Sequence, residues 1–373
     1  MIKIPFFVPD FDEREEQAVV NVLRGGWIAM GPSVEAFEVA FAKALDCQFA
    51  VALNSCTAAL HIANILIDLG PGDEVIVPSL TFAATANAVH FTGATPIFAD
   101  VAGPEDWTLC PESVRARITP RTKAIIPMHY AGYPCDMDAF ASLAESHGCA
   151  IIEDACHGLG GSLDGQAMGT IGKMGCFSFY SNKIMTTGEG GMLTTNDEAL
   201  AQRARALRSH GQTKTAVDRM RGAMGYDITE VGYNYRLDDL RASIGLVQLE
   251  RLAPSVIRRR ELVARYKSEL ENVEEVYIPD HGGRGEPAHY ILPACVRGVD
   301  RDALRAGLAE DGIQTSMHYP PVHHFGHYID PTLELPHTEM VGKNALSLPL
   351  YPSMTDDQVV AVCNSIRRRV GRA

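Results

Sequence analysis

From about residue 50 the chain alternates between short apolar runs and longer amphipathic stretches. The runs are rich in Val and Ile and end in polar residues: Glu74–Pro78, Pro96–Asp100, Ala124–Met128, Ala150–Asp154, Cys176–Tyr180 and Met192–Thr195. Continuous apolar runs of this length predict strands buried on both faces. Between the early runs lie Thr57–Leu69, Phe82–Phe91, Asp136–His147 and Glu198–Arg208, whose spacing predicts helices with one apolar side. The sequences GPGDE at 70–74 and TPRTK at 119–123 are turn punctuation before two of the strands. Strands joined by helical connectors predict an α/β fold, a mainly parallel sheet sandwiched by helices.

After Asn234 the texture changes. Leu237–Leu252 is a helical run, Pro254 interrupts it, and a charged helix is predicted from Ser255 to about Leu270. A strand near Ala288–Val296, a helix at Arg301–Asp311 and a His-rich loop at 318–327 predict a smaller C-terminal α+β domain. The expected division is residues 1–250, N-terminal segment included, and residues 251–373, in keeping with about two domains for 373 residues. The clusters Arg258–Arg260 and Arg367–Arg369 at helix ends read as solvated helix faces.

Composition narrows the partners. Apolar residues make up 46% and charged residues 21%, which is globular. With 33 basic against 46 acidic residues the net charge is −13, and such a surface repels nucleic acid and anionic lipid. Val75–Ala99 lacks Asp, Glu, Lys and Arg and is long enough to span a bilayer. Pro78, Asn87, His90, Gly93 and Pro96 divide it into strand, helix and strand, so it reads as buried core. The first 16 residues have too short an apolar run for a signal peptide. Nine cysteines without a CxxC suit reduced thiols, and the expectation is a soluble, cytoplasmic protein.

The common phosphate and metal motifs fail. Gly158, Gly160 and Gly161 begin like a dinucleotide fingerprint, but the third glycine falls on Leu163; Gly172–Lys173 is followed by Met174 where a P-loop needs Ser or Thr. His323, His324 and His327 could supply two metal ligands, but no acidic third ligand is adjacent in sequence, and no metal is expected. One constellation survives. Glu153 and Asp154 lie just past a strand, and in open α/β sheets ligands bind at the carboxyl ends of strands. Ser178 sits on a strand, with Lys183 in the loop beyond and a glycine-rich return behind it. Flanked by Ile184 and Met185, this lysine is expected to be partly desolvated, with a lowered pKa and a nucleophilic amine. An aldehyde cofactor needs such an amine. Pyridoxal phosphate (PLP) needs in addition a carboxylate at its ring nitrogen, hydroxyls and free N–H groups at a helix start, and a flat side chain against the ring. Asp154, the helix start at Ser55 and Thr57, and Phe82 supply these. Glu153 is expected to point to the other side of the chain and to tolerate Gln.

Over nearly its whole length the sequence resembles the DegT-type sugar aminotransferases, fold-type I PLP enzymes that aminate keto sugars, usually nucleotide-linked. The segments that carry the resemblance include PGDEVIVPSLTFAATANAV, IIEDACHGLGG, FSFYSNKIMTTGEGGMLTTND and GYNYRLDDLRASIGLVQLERL. It implies that Lys183 is the Schiff-base lysine and proton shuttle, and that Asp154 pairs with the pyridinium nitrogen. It also implies that His157 stands beside the cofactor's phenolic oxygen, and that Ser178, Cys56 and Thr57 contact its phosphate. Cys56 departs from the family's pattern, which has glycine there. Asn234 matches a residue that reaches the neighbouring subunit's cofactor, implying a homodimer with shared sites. The implied reaction cycles PLP through its pyridoxamine form (PMP), with L-glutamate as amino donor. Arg236 is a candidate for the glutamate carboxylate, and His318, Tyr319 and His323 for the sugar. A PMP-dependent sugar dehydratase would carry His in place of Lys183, and a regulatory paralogue would have lost the lysine or the aspartate.

Overall fold

The computed structural model describes residues 2–215, 218 and 221–371. Seven strands form the central sheet: β1 (Phe49–Leu53), β2 (Glu74–Pro78), β3 (Thr95–Ala99), β4 (Thr122–Ile125), β5 (Ala150–Asp154), β8 (Met174–Ser178) and β9 (Gly191–Thr195). Ser162–Leu163 and Gln166–Ala167, β6 and β7, make a small separate hairpin. The order across the sheet is β1-β9-β8-β5-β4-β2-β3. The neighbours from β3 to β8 run parallel, and only β9 is reversed, pairing antiparallel with β8 and β1. The cause is the connector: residues 179–190 contain no helix to carry a crossover, so the chain returns beside the strand it has just left.

Both sheet faces are buried, as the unbroken apolar runs require. Along β2, Val75 and Val77 enter one core with Leu60, Ile62 and Leu193, while Ile76 enters another with Ile125 and Phe140. Helix α1 (Glu13–Gly25) starts on an Asp12–Glu15 capping box, and α2 (Pro32–Ala44) starts on Pro32. The α2 residues Phe37 and Phe41 pack against Phe179 and Phe177, with centroids 5.2–5.6 Å apart. Helix α3 (Cys56–Leu66) follows β1, with Ser55 as its N-cap. The predicted strands and helices form with boundaries shifted by a few residues. The Val75–Ala99 stretch is indeed strand, helix and strand, and no helix among the described residues is long and apolar enough to cross a membrane.

The C-terminal third has its own three-stranded antiparallel sheet, Val276–Tyr277, Leu292–Val296 and Ala345–Leu348. Helices Leu252–Leu270, Arg301–Glu310 and Asp356–Arg369 cover it, and Leu262, Tyr266, Leu346 and Val362 share its core. Ile4, from the opposite end of the chain, packs into that same core. Two expectations are corrected. Pro254 falls in the first turn of the Leu252–Leu270 helix, where a missing N–H costs nothing. Arg259 is not on a solvated face: it is buried and donates to the carbonyls of His289, Tyr290 and Leu350.

Candidate active site

Asp154 closes β5 and Ser178 closes β8, two parallel neighbours in which Asp154 pairs with Cys176. Both therefore stand at the carboxyl end of the sheet, where the start of α3 also arrives. Ser55 Oγ accepts the Ala58 N–H at 3.1 Å. A helix leaves its first N–H groups without intrahelical partners, so the amides of Cys56 and Thr57 are the donors facing the cleft. Gly191, at the start of β9, passes directly beneath: a Cβ there would lie 2.4–2.5 Å from Ser55 C and O and from Cys56 N. This close approach explains the last glycine of the GEGG return.

The resulting cleft has a volume of about 430 Å³. Ser55, Cys56, Thr57, Phe82, Asp154, Ser178, Lys183, His318 and Tyr319 all line it. Asp154 is buried; its Oδ2 accepts from the Thr85 hydroxyl at 2.7 Å and its Oδ1 from the Cys156 amide at 3.2 Å. Thr81 in turn lies 2.9 Å from the Thr85 hydroxyl. These bonds aim the carboxylate and satisfy part of its hydrogen-bonding capacity. Lys183 Nζ stands 4.2 Å from the centroid of the Tyr290 ring, a cation–π distance. The Tyr290 hydroxyl donates to Asn182 Oδ1 at 2.9 Å. Phe82 is largely exposed at the cleft mouth, 6.0 Å from the Tyr319 ring.

The electrostatics correct one expectation. Burial pulls the pKa of Lys183 down, but the Tyr290 ring it faces and the Asp154 charge outweigh it, and the net direction is upward. The amine is thus a cation before any cofactor arrives, held by its acidic surroundings. Burial, and then the Asp154 charge, push the thiols of Cys56 and Cys156 well above their usual value, so both stay neutral. All nine cysteines are free thiols.

Four predicted residues do not line the cleft. His157 lies behind its wall: Nδ1 accepts the Ala131 amide at 3.2 Å, which leaves Nε2–H to donate to the Tyr319 hydroxyl at 3.0 Å. Burial, with Lys183 and His318 adding to it, holds this imidazole neutral by lowering its pKa well below the usual value. Asn234 is exposed, on a segment whose backbone bridges to Ser209. Arg236 is half-buried near Arg208. His323 is buried with both ring nitrogens engaged, Nδ1 at 2.6 Å from Ser79 Oγ and Nε2 at 2.7 Å from Glu339. Glu153 does point away from Asp154, yet it is not a tolerant position. Its carboxylate is fully buried and accepts from the amides of Gly169, Ile171 and Gly172 and from His129 Nε2. Sequence reasoning missed Thr85, whose i,i+4 spacing from Thr81 was a usable signal, and Tyr290, for which the sequence offered none.

An amine, a buried carboxylate and an unpartnered helix start, converging from separate elements, fit a cofactor with a carbonyl, a ring nitrogen and a phosphate. This fold and this site define a fold-type I PLP-dependent aminotransferase. Residues 9–367 match the DegT/DnrJ/EryC1/StrS aminotransferase family, and the chain belongs to it. The spore coat polysaccharide biosynthesis protein SpsC of Bacillus subtilis is 40% identical over 375 residues, covering 98% of this chain and 96% of SpsC. The aminotransferase TlmJ of Streptoalloteichus hindustanus superposes with a TM-score of 0.92 at 35% identity, covering 98% of each chain. Spr1654 of Streptococcus pneumoniae, solved in PMP and PLP forms, gives a TM-score of 0.91 at 30% identity in the PMP form, covering 98% of this chain and 99% of its own. The chain is a PLP-dependent sugar aminotransferase.

Proposed function

We propose that the protein transfers an amino group from L-glutamate to a nucleotide-linked keto sugar. The observation that carries this reading is the convergence of Lys183, Asp154 and the start of α3 on one cleft with an open, aromatic mouth. The pyridine ring of PLP, when bound, supplies an electron sink that makes the Cα–H bond of an amino acid acidic. Lys183 Nζ would hold the cofactor covalently until the donor's amine displaces it, and the amine so freed would take the Cα proton and return it on the cofactor's carbon. Asp154, fixed by Thr85 and the Cys156 amide, keeps the ring nitrogen protonated. The amides of Cys56 and Thr57 with the hydroxyls of Thr57 and Ser178 bind the phosphate, and Phe82 covers the ring. SpsC's part in spore coat polysaccharide biosynthesis supports a sugar destined for a surface polymer.

The working unit in this reading is a homodimer, with Asn234 serving the partner's site. Asn234 is exposed and off its own cleft, and Met224, Ile228 and Val231 on the same stretch are large, apolar and exposed. Mixing Lys183→Ala with Asn234→Asp chains then restores activity, because one site of each hybrid carries neither change; hybrids without activity overturn the shared site. For the substrate, the test is the PMP-form enzyme with matched free and nucleotide-linked keto sugars. The reading expects a nucleotide-linked sugar to restore the absorption of lysine-bound PLP, and L-glutamate to discharge it faster than L-aspartate or L-alanine. Equal rates with free sugars would overturn the nucleotide requirement, and a faster alternative donor would overturn glutamate.

A further inference from the structure

Glu339 is supplied by helix Pro336–Asn344 and lies far in sequence from the two histidines it meets. Its Oε1 is 2.7 Å from Nε2 of His323 and 2.7 Å from Nε2 of His324. The three atoms all lie within 4.8 Å of one another. His323 and His324 are consecutive in the short turn Val322–His324, with ring centroids 4.5 Å apart. The ring of His323 is also fixed from behind. Its Nδ1 lies 2.6 Å from the oxygen of Ser79, a buried hydroxyl that accepts the His323 amide as well. When Nδ1–H donates to Ser79, Nε2 presents a bare lone pair toward Glu339 and His324. A metal-binding histidine is held in this way by a partner at its second nitrogen.

We propose that His323, His324 and Glu339 form a site for a divalent transition metal of the zinc, cobalt or nickel class. Two imidazoles and one carboxylate are a ligand set such ions accept, leaving a fourth position for solvent. His324 and Glu339 are about half exposed, so the site opens to water. They border a cavity of about 240 Å³ that Arg301 and Lys343 also line. Two imidazoles and a single carboxylate do not suit magnesium and calcium, which depend on several oxygen ligands, and leave metals that bind neutral imidazole strongly. The site's place in the fold gives it a role. Tyr319 and His318 line both this cavity and the active cleft. A metal joining the turn to helix Pro336–Asn344 braces the wall that carries them.

The test uses chelator-treated holoenzyme titrated with Zn²⁺ by calorimetry and with Co²⁺ by visible absorption, with the melting temperature followed in parallel. One tight site per chain and a metal-dependent rise in melting temperature are expected. His324→Ala and Glu339→Gln each change a half-exposed side chain that fills no core, so both variants fold and both lose the site. Ser79→Ala, which keeps all three ligands, weakens binding about 10–100-fold. Unchanged affinity in His324→Ala and Glu339→Gln would place the metal elsewhere, for example at the His90–His327 pair, and overturn the proposal. Absence of binding to the unsubstituted protein would overturn it equally.

Discussion

Glu153→Gln is a near-isosteric change one residue from Asp154, and the structure makes it costly. Oε1 of Glu153 accepts from the amides of Ile171 at 2.7 Å and Gly172 at 2.6 Å. Oε2 accepts from the Gly169 amide at 2.7 Å and from His129 Nε2 at 2.8 Å. His129 cannot change tautomer to help, because its Nδ1 already accepts the Cys135 amide at 3.2 Å. Whichever way the glutamine amide turns, its NH₂ therefore faces two donors, and two N–H groups lose their acceptor. At about 1.5–3 kcal/mol for each hydrogen bond to a charged group, the loss is about 3–6 kcal/mol. Unfolding entropy of about 2.1 cal/mol/K per residue over 373 residues converts this to a fall in melting temperature of about 4–8 °C. The assay is thermal melting of the PLP-saturated enzyme beside Glu153→Gln, with Glu145→Gln on an exposed helix position as control. A Glu153→Gln protein melting within a degree of the parent would show that this carboxylate does not hold the 169–172 loop to β5.

Lys183→Ala abolishes covalent cofactor attachment; borohydride reduction and peptide mapping check it, and a pyridoxyl label on Lys173 or Lys214 of the parent refutes the assignment. Asp154→Asn binds cofactor but loses most of its transamination, measured as single-turnover rates in each half-reaction, and parental rates would reduce Asp154 to a structural role. Acid destabilises the fold through His281, His289 and His318, whose pKa values burial pushes down to about 3. Unfolded histidine titrates near 6.5, so their contribution is complete above that pH and is lost as pH falls from there toward 3; between pH 7 and pH 5 each costs about 2 kcal/mol. Urea midpoints at the two pH values measure it, and identical midpoints refute it.

The half of the cleft that carries Asp154, Ser178 and the start of α3 was legible because local sequence dictates it. β5 and β8 are continuous apolar runs whose polar ends must emerge at one edge of a parallel sheet, which puts Asp154 and Ser178 side by side. A Ser-Cys-Thr start to a helix announces its own cap and its free amides. What escaped depends on contacts between distant segments. Glu153 looked like the idle neighbour of Asp154 because the alternation of a strand says only that it points the other way, not that the 169–172 loop waits there. The acid that completes the His323–His324 pair stands in a helix that the sequence pattern did not predict. Lys183 was judged from its apolar neighbours in sequence, while its charge is set by Tyr290 and Asp154, which only the fold assembles around it.

The same division bears on specificity. The amine, the carboxylate and the helix start all come from residues 55–183, but the wall facing them comes from residues 290–319. That wall is not a loose loop laid over the site. Tyr290 is backed by Arg259, a buried cation whose pKa burial lowers to about 10, leaving it charged at neutral pH. Its guanidinium takes the carbonyls of His289, Tyr290 and Leu350, joining the first residues of the wall to the chain beyond the last C-terminal strand. Tyr319 is backed by His157, which belongs to the segment that carries Asp154, so a change in the C-terminal wall is felt within three residues of that carboxylate. Substitutions behind the wall, at Arg259 or His157, should therefore alter sugar preference and cofactor affinity together, whereas a substitution at the exposed mouth, at Tyr180, can alter the sugar alone.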